Sequence, residues 1–339
     1  AYVFERFPTF TQTFCVREVT ELRRLGLRPL VFSIRDTRDE ALEDHFPREL
    51  IETVHFLPPK DELVSMVKAW KDKDELPQEA VLTLRHWSDA PDKNRVYEAI
   101  YVGWKMAEAG VAHGHSHFAG VGARCCYWIK QFYGFGYSFT GHANDLFEPT
   151  AFEVGLDQLM SAASLVVTVS DYTASWLRER YPKCSRKVKR VYNGLDLTPF
   201  EEAAKRRESD RDNLIVSVGR LIEKKGFDDL IRACAIVGEE GSMRFRCVVV
   251  GEGPLEPELQ ALADELGVHD ELELAGAQSQ KEIVSLLSQA RVFALPCVTE
   301  QGGGKDNLPT VIMEAMAASL PCVSTCLAGV PEMVVDGET

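Results

Sequence analysis

Residues 213–325 alternate between short apolar runs rich in β-branched residues and segments whose apolar residues recur with helical spacing. The runs NLIVSVGR (213–220), FRCVVVGEGP (245–254) and VFALP (292–296) indicate buried strands, whereas GFDDLIRACAIVG (226–238) indicates a helix. Strands that alternate with helices along a chain form a parallel sheet with helices on both faces. The sequence therefore predicts an α/β, doubly wound domain here.

The first half of the chain shows the same alternation. Its predicted strands lie at 28–34, 110–119, 137–143, 164–170 and 189–194. We predict two Rossmann-like domains, residues 1–197 and 213–339, joined by a polar, highly charged linker at 198–212. The chain begins without methionine, so we expect a few residues to be missing at its start, and it ends on a turn, so we expect the second domain to be truncated at its C-terminus.

Composition excludes some functions and compartments. The net charge is −14, and it is concentrated in the second half of the chain, which argues against nucleic-acid binding. No apolar run approaches the roughly 20 residues of a membrane span. Nine irregularly spaced cysteines are typical of reduced, buried thiols, so we expect a cytoplasmic protein.

Two acidic residues stand out in the stretch GKDNLPTVIMEAMAASLP, residues 304–321. Asp306 lies in a loop before Pro309, and Glu314 interrupts an apolar segment that we predict to be a helix from about 309 to 319. The start of such a helix suits an anionic group, and a carboxylate can accept hydrogen bonds from vicinal hydroxyls. Two alternatives remain open: Asp306 as a helix cap, and Glu314 as an exposed surface residue.

Basic residues follow the first strand of the same predicted sheet. Arg220 comes directly after that strand, and Lys225 precedes the next helix. Because ligands bind at the carboxyl ends of parallel strands, this pair suits a diphosphate. The alternative is a solvated, charged loop.

Taken together, SVGRLIEKKGFDDLI, VVVGEGP, AGAQSQKEIVSLLSQARVFALPC and DNLPTVIMEAMAASLPCVST resemble the donor domain of retaining GT-B glycosyltransferases, glycosyltransferase family 4. Upstream, FPTFTQTFCVREVTELRRLG, HSHF and SFTGHANDLF resemble the acceptor domain of members that build bacterial exopolysaccharides. The resemblance implies a GT-B fold, in which two Rossmann-like domains face each other across a cleft.

The resemblance also implies roles for individual residues. Arg220 and Lys225 would hold the donor diphosphate, Glu314 the ribose, and Asp306 the donor sugar, although the family usually has Glu at the Asp306 position. His142 matches the family histidine that reaches the donor sugar, and its alternative is a strand-end histidine capped by neighbours. Further donor-binding residues are Gly276, Asn307, Leu308 and Pro309, and the acceptor-side residues are Thr11, Gln12 and Asp145. The related pattern has Glu at the Gln12 position.

The implied activity is metal-independent transfer of a sugar from a nucleoside-diphosphate sugar to a glycan or lipid-linked acceptor, with no cofactor and with peripheral contact to the inner membrane. Two rival functions are a sugar-nucleotide epimerase on the same fold and a non-catalytic glycan-binding relative. The sequence also offers a zinc alternative, because His113, His115 and His117 share one face of a predicted strand.

Overall fold

The computed structural model describes residues 1–9, 12–38, 46–86, 93–148, 152–205, 212–241 and 244–339. Backbone contacts divide the chain into two compact units. Unit 1 comprises Ala1–Val169 and Ala174–Gly194, and unit 2 comprises Ser170–Thr173 and Leu195–Thr339. The division therefore lies at 194/195, three residues before the boundary predicted from the sequence.

Unit 1 contains, in its described part, a seven-stranded sheet of order β3-β2-β1-β4-β5-β6-β7 in which all neighbouring strands are parallel. Its strands are β1 Tyr2–Arg6, β2 Val31–Arg35, β3 Val54–Phe56, β4 His113–His117, β5 Gly136–Gly141, β6 Leu165–Thr168 and β7 Val188–Arg190. Its helices are α1 Thr13–Arg24, α2 Arg48–Ile51, α3 Lys60–Asp72, α4 Gln78–His86, α5 Lys93–Glu108, α6 Val121–Tyr133, α7 Asn144–Phe147, α8 Leu156–Ala162 and α9 Asp171–Arg180. The first three residues of α9 belong to unit 2.

Unit 2 contains, within its described residues, a five-stranded parallel sheet of order β10-β9-β8-β11-β12. The strands are β8 Leu214–Val218, β9 Arg246–Val250, β10 Leu272–Leu274, β11 Val292–Leu295 and β12 Cys322–Ser324. The helices are α10 Glu201–Ala204, α11 Phe227–Glu240, α12 Glu256–Glu265, α13 Gln280–Gln289 and α14 Thr310–Ala317. The doubly wound α/β fold predicted from the alternation is thus confirmed in both units.

Burial explains why the strands are so apolar. In β9 the side chains of Val248, Val249 and Val250 are at most 2% exposed, so both faces of this strand are covered. Helices on both sides of a parallel sheet require such continuous apolar runs. Each unit has its own hydrophobic core, as expected for domains of this length.

The segment predicted as a linker differs from the expectation. Residues Thr198–Phe200 form a 3₁₀ turn that leads into α10, and Phe200 and Ala203 are buried in the core of unit 2. These apolar side chains lie three residues apart and therefore on one helical face, which is why this short segment packs. The linker prediction is wrong for residues 198–204, and residues 206–211 lie outside the described part of the chain.

Two further features bear on the expectations from composition. All nine cysteines are free thiols, eight of them buried and Cys326 exposed. In the described part of the chain, no helix combines the length and the apolar character that a bilayer crossing demands.

Candidate active site

The carboxyl edge of the unit 2 sheet brings together residues that are far apart in the sequence. The chain passes from β8 to β9 on one side, and β11 later pairs with β8 on the other side, so the strand order reverses between β8 and β11. Open α/β sheets bind ligands at such a switch point. Arg220 and Lys225 follow β8, and Asp306 lies on the loop after β11.

A buried ion-pair cluster occupies this position. The Nζ atom of Lys225 lies 2.5 Å from Oδ2 of Asp306, and the Nζ atom of Lys224 lies 3.5 Å from Oδ1. All three side chains are at most 14% exposed. Burial raises the pKa of Asp306, but the charges and hydrogen bonds of the two lysines outweigh it, so the pKa lies below its ordinary value. Asp306 is therefore ionised at neutral pH.

Lys224 is a site residue that the sequence reasoning missed. The sequence shows two consecutive lysines, Lys224 and Lys225, and only Lys225 was predicted to bind the diphosphate. Both lysines belong to a 3₁₀ turn, Glu223–Lys225, rather than to a regular helix. Consecutive side chains leave a 3₁₀ turn about 120° apart, so it is the length and flexibility of the lysine side chains that bring both ammonium groups to one carboxylate.

The turn that carries the lysines is fixed against the end of β11. Val298 donates its backbone N–H to the carbonyl of Lys224 at 3.0 Å. Gly226 has φ +64°, and a Cβ there would lie 2.0 Å from the carbonyl oxygen of Pro296. Only glycine fits at this position, so the loops after β8 and β11 are held together by the backbone.

Other residues predicted on this edge have different environments. Arg220 is exposed, in contrast to the two lysines. Gly276 has φ +67°, and no atom lies within 4 Å of the position that its Cβ would occupy. Its backbone therefore borders open space beside β10, and its carbonyl accepts the N–H of Gly251 at 2.8 Å.

The loop before α14 is supported by buried polar contacts. Asn307 is 2% exposed, its carbonyl accepts the N–H of Gly329 at 2.9 Å, and its Oδ1 accepts the hydroxyl of Ser170 at 2.6 Å. Leu308 is buried, and Pro309 is the N-cap residue of α14, without a side-chain cap. Asp306 thus does not cap the helix, and that alternative is excluded.

Glu314 lies in the second turn of α14 and is only 9% exposed. Its helical neighbours Ile312 and Ala315 are fully buried. The alternative of an exposed surface position is therefore excluded. Its carboxyl group lies on the helix that follows the Asp306 loop, and carboxylate oxygens can accept hydrogen bonds from hydroxyl groups.

In unit 1, His142 follows β5 and is 7% exposed. Its ring lies 4.6 Å, centroid to centroid, from those of both Phe14 and Phe118. Its Nε2 atom lies 3.0 Å from Nδ1 of His117, the last residue of β4. Burial, together with the neighbouring histidines, lowers the pKa of His142 well below its ordinary value, so the imidazole is neutral.

A cluster of polar side chains continues from His117. Oε2 of Glu18 lies 3.3 Å from Nε2 of His117, and the hydroxyl of Tyr2 donates to Oε1 of Glu18. Burial raises the pKa of Glu18, but the adjacent His117 ring and the hydroxyl of Tyr2, which donates a hydrogen bond to it, lower that pKa to about 2. Glu18, which the sequence reasoning did not select, is therefore a carboxylate at neutral pH.

The zinc alternative has a different geometry from the one expected. Among the described residues, one group of three potential ligands lies close together: Glu18, His115 and His117, whose ligand atoms are within 4.8 Å of one another. Both ring nitrogens of His115 are engaged, with Oγ of Ser138 at 2.7 Å and Oγ1 of Thr140 at 3.1 Å. Because hydroxyl groups already satisfy His115, we interpret the group as a hydrogen-bonded network rather than a metal site.

The three predicted acceptor-side residues differ in where the structure places them. Gln12 is the N-cap residue of α1 and lines a pocket of about 130 Å³ together with Phe4, Glu5, Arg6, His117, Phe118, Gly120, Val121 and Gly122. Thr11 lies outside the described residues. Asp145 accepts the backbone N–H groups of Ala119 and Ala143 at 2.8 Å and of His142 at 3.1 Å, so it fixes the loops around the pocket.

The sequence of unit 2 matches a known protein family. Residues 200–339 match the sequence model of the family described as glycosyl transferases group 1. The cluster of Lys224, Lys225 and Asp306, the exposed Arg220 and helix α14 all lie within the residues that match.

One curated protein illustrates the similarity of individual sequences. The chain is 35% identical over 178 residues to an Escherichia coli K12 protein provisionally named as the colanic acid biosynthesis glycosyltransferase WcaL. That match covers 52% of this chain and 43% of the relative. The chain thus spans less than half of this relative.

Solved structures extend the likeness to the whole chain. A glycosyltransferase from Rickettsia africae matches with a TM-score of 0.70 over 99% of this chain and 80% of its own, at 15% identity. Anabaena HepE, crystallised with UDP and glucose, matches with a TM-score of 0.64 over 98% of this chain and 82% of its own, at 16% identity. The prediction of a GT-B fold with two Rossmann-like units is confirmed.

Proposed function

We propose that the chain is a glycosyltransferase that moves a sugar from a nucleoside-diphosphate sugar to an acceptor hydroxyl, with retained anomeric configuration, in bacterial surface-polysaccharide biosynthesis. The observation that carries the proposal is the cluster of Lys224, Lys225 and Asp306 at the switch point of the unit 2 sheet, within the residues that match the group 1 family. It combines cations for a diphosphate with a carboxylate for sugar hydroxyls.

The proposed chemistry depends on charge that develops as the glycosidic bond breaks. The leaving diphosphate becomes more negative, and Arg220, Lys225 and the N-terminus of α14 would stabilise it without a metal ion. Asp306 already holds both lysines in ordered, buried positions. Binding would therefore cost less side-chain entropy than it would with two free lysines, which supports a preorganised donor site.

The other predicted residues have supporting roles in this proposal. Glu314 would bind the ribose hydroxyls of the nucleotide, and His142 would form a hydrogen bond to a hydroxyl of the donor sugar. The pocket beside Gln12 would receive a glycan or lipid-linked acceptor. A cytoplasmic location with peripheral contact to the inner membrane belongs to the same proposal, since seven basic residues lie between Arg178 and Arg190.

The first experiment measures donor binding by thermal shift with a panel of uridine, guanosine, adenosine and thymidine diphosphate sugars. A ligand at about 100 times its dissociation constant adds about 2.7 kcal/mol of stability. We expect one nucleotide class to raise the melting temperature and Arg220→Ala to abolish this shift. The matched control is Arg232→Ala, because Arg232 is exposed on α11 of the same unit. No shift with any of these donors would contradict the proposal.

The second experiment separates the rival functions. The donor that binds is incubated without acceptor, and the products are analysed for hydrolysed sugar, for an epimerised sugar nucleotide and for unchanged donor. A slow release of free sugar that Arg220→Ala eliminates supports a transferase. Conversion to another sugar nucleotide would establish the epimerase, and binding with no turnover would favour a glycan-binding relative.

A further inference from the structure

Phe118 has a backbone conformation that is uncommon for a bulky residue. It directly follows β4 and precedes α6, and its φ angle is +68°, in the left-handed region. Three other non-glycine residues in the described part of the chain have positive φ angles. Asp74 and Ser319 directly follow the C-cap residues of α3 and α14, where a left-handed residue often ends a helix, and Ala328 lies in a turn. No helix ends at Phe118, so this explanation does not apply to it.

Hydrogen bonds hold the backbone on both sides of Phe118. Its own N–H donates to the carbonyl of Thr140 at 2.7 Å. The next N–H, that of Ala119, donates to the carboxylate of Asp145 at 2.8 Å, and the carbonyl of Ala119 accepts the buried guanidinium of Arg124. A strained conformation persists only where the surrounding structure fixes it in this way, and such residues cluster at binding and catalytic sites.

The position of Phe118 is one where ligands bind. A strained turn from a strand into a helix exposes the side chain at its tip above the sheet. β4 lies beside β1, and the strand order of the unit 1 sheet reverses between them, which is where open α/β sheets bind ligands. The ring of Phe118 packs against that of His142 at a centroid distance of 4.6 Å, remains partly exposed, and lines the pocket of about 130 Å³ at this place.

The pocket combines this aromatic ring with hydrogen-bonding side chains. Glu5 and Arg6 at the end of β1 and Gln12 at the start of α1 line it together with Phe118. Their carboxylate, guanidinium and amide groups can form hydrogen bonds with hydroxyl groups. The face of an aromatic ring carries partial negative charge, so it attracts the slightly positive C–H groups on the apolar face of a pyranose ring. The combination suits a sugar ring better than an alkyl chain, which offers no hydrogen bonds.

We infer that Phe118 is a specificity-determining residue whose ring packs against a sugar ring of the acceptor, and that its left-handed backbone serves this contact. The inference rests on the proposed function, which assigns this pocket to a glycan or lipid-linked acceptor. It adds the part of the acceptor that is recognised, a pyranose ring with an apolar C–H face. The strained backbone lowers the stability of unit 1, and the ring that it exposes binds the substrate.

A pair of variants tests the strain without any ligand. Phe118→Gly and Phe118→Ala both lose the ring, but only glycine adopts a positive φ without a steric cost. We expect Phe118→Gly to have the higher midpoint of urea unfolding, because relief of the backbone outweighs the greater chain entropy of glycine in the unfolded state. The control is Ala107→Gly at an exposed position of α5, where glycine should lower the midpoint. A Phe118→Ala variant at least as stable as Phe118→Gly would overturn the inference.

Saturation-transfer NMR on the whole chain measures the contact with a sugar. The probes are the methyl pyranosides of glucose, galactose, mannose and fucose, with sorbitol as an acyclic polyol that has hydroxyls but no ring. We expect saturation to reach the ring C–H groups of at least one pyranoside and not to reach sorbitol. Phe118→Tyr keeps the aromatic face and should keep the Kd, whereas Phe118→Leu keeps an apolar side chain without that face and should raise the Kd about threefold to tenfold.

Two results of this measurement would overturn the inference: no transfer to any of the four pyranosides, or the same Kd for Phe118→Leu as for the unsubstituted protein. Both experiments omit the sugar nucleotide, so they are separable from the test of the proposed function. If no donor raises the melting temperature but Phe118→Leu weakens pyranoside binding, the transferase proposal fails and the sugar contact stands. A donor shift without a pyranoside contact at Phe118 supports the transferase and overturns the inference.

Discussion

The buried histidines of unit 1 predict that its stability falls as the pH decreases below about 6.5. Burial, then repulsion from His117, lowers the pKa of His115 to about 3, and burial lowers that of His142 well below 6.5. Both rings remain neutral in the folded chain at pH 5, whereas in the unfolded chain they bind protons below 6.5. The stabilisation is therefore fully present above that pH and is lost as the pH falls.

The magnitude follows from the two titrations. A histidine that stays neutral when folded and titrates at 6.5 when unfolded lowers the free energy of unfolding by about 2 kcal/mol between about pH 7.5 and about pH 5. Two such histidines lower it by about 4 kcal/mol. The pKa of His113 is also lowered by burial and adds a change of the same sign. Glu18 titrates below this range, and Asp145, whose pKa burial raises, acts in the opposite direction.

Tryptophan fluorescence during urea unfolding is a suitable assay because it reports on unit 1 alone. The five tryptophans lie between Trp70 and Trp176, all in the part of the sequence that belongs to unit 1. A two-domain protein does not unfold in one step, so a probe confined to one unit is needed. Unfolding curves at a series of pH values then give the free energy of unfolding of this unit.

Comparison of variants isolates the histidine contribution. His142→Asn removes one titrating ring, so the decline between about pH 7.5 and about pH 5 should shrink by about 2 kcal/mol. The control is His269→Asn, which changes an exposed histidine of unit 2 and should leave the decline as it is. The reasoning is refuted if His142→Asn declines as steeply as the unsubstituted protein.

Two further predictions concern unit 2 and can be followed by far-UV circular dichroism. Gly251→Ala places a Cβ 1.9 Å from the carbonyl oxygen of Gly219 at φ +142°, so we expect the free energy of unfolding to fall by more than about 3 kcal/mol. The control is Gly267→Ala, where φ is +68° and no atom lies within 4 Å of the Cβ position, and there we expect a loss of about 1 kcal/mol. Equal losses would contradict the steric argument. Lys225→Met leaves Asp306 with Lys224 at 3.5 Å and the Cys297 thiol at 3.7 Å, so it should cost about 3 kcal/mol, and Asp306→Asn in the same chain should recover part of this loss. Strictly additive effects would show that the pair is not coupled.

The sequence predicted much of the fold because parallel strands buried on both faces leave an unmistakable pattern. The helix expected at about 309–319 is α14, Thr310–Ala317, and the run at 245–254 contains β9. The three-residue strand β3 was missed because so short a segment shows no periodicity. The linker was misassigned because its charge concealed the two apolar residues that pack.

The proximity of Lys225 and Asp306 could be predicted because sheet topology alone brings them together. Lys225 and Asp306 follow adjacent parallel strands, so their meeting followed from the strand assignment. The cluster of the Tyr2, Glu18, His117 and His142 side chains could not be predicted in this way. It depends on how α1 lies over the sheet and on which side-chain rotamers face one another, and no spacing in the sequence encodes either.

Asp145 has a consequence for attempts to redesign the pocket beside Gln12. One carboxylate ties the main chain after β4, at Ala119, to the main chain after β5, at His142 and Ala143. These contacts help to set the distance of 3.0 Å between the imidazole nitrogens of His117 and His142. Libraries that vary the tips of these strands should therefore keep Asp145, because its carboxylate holds both loops.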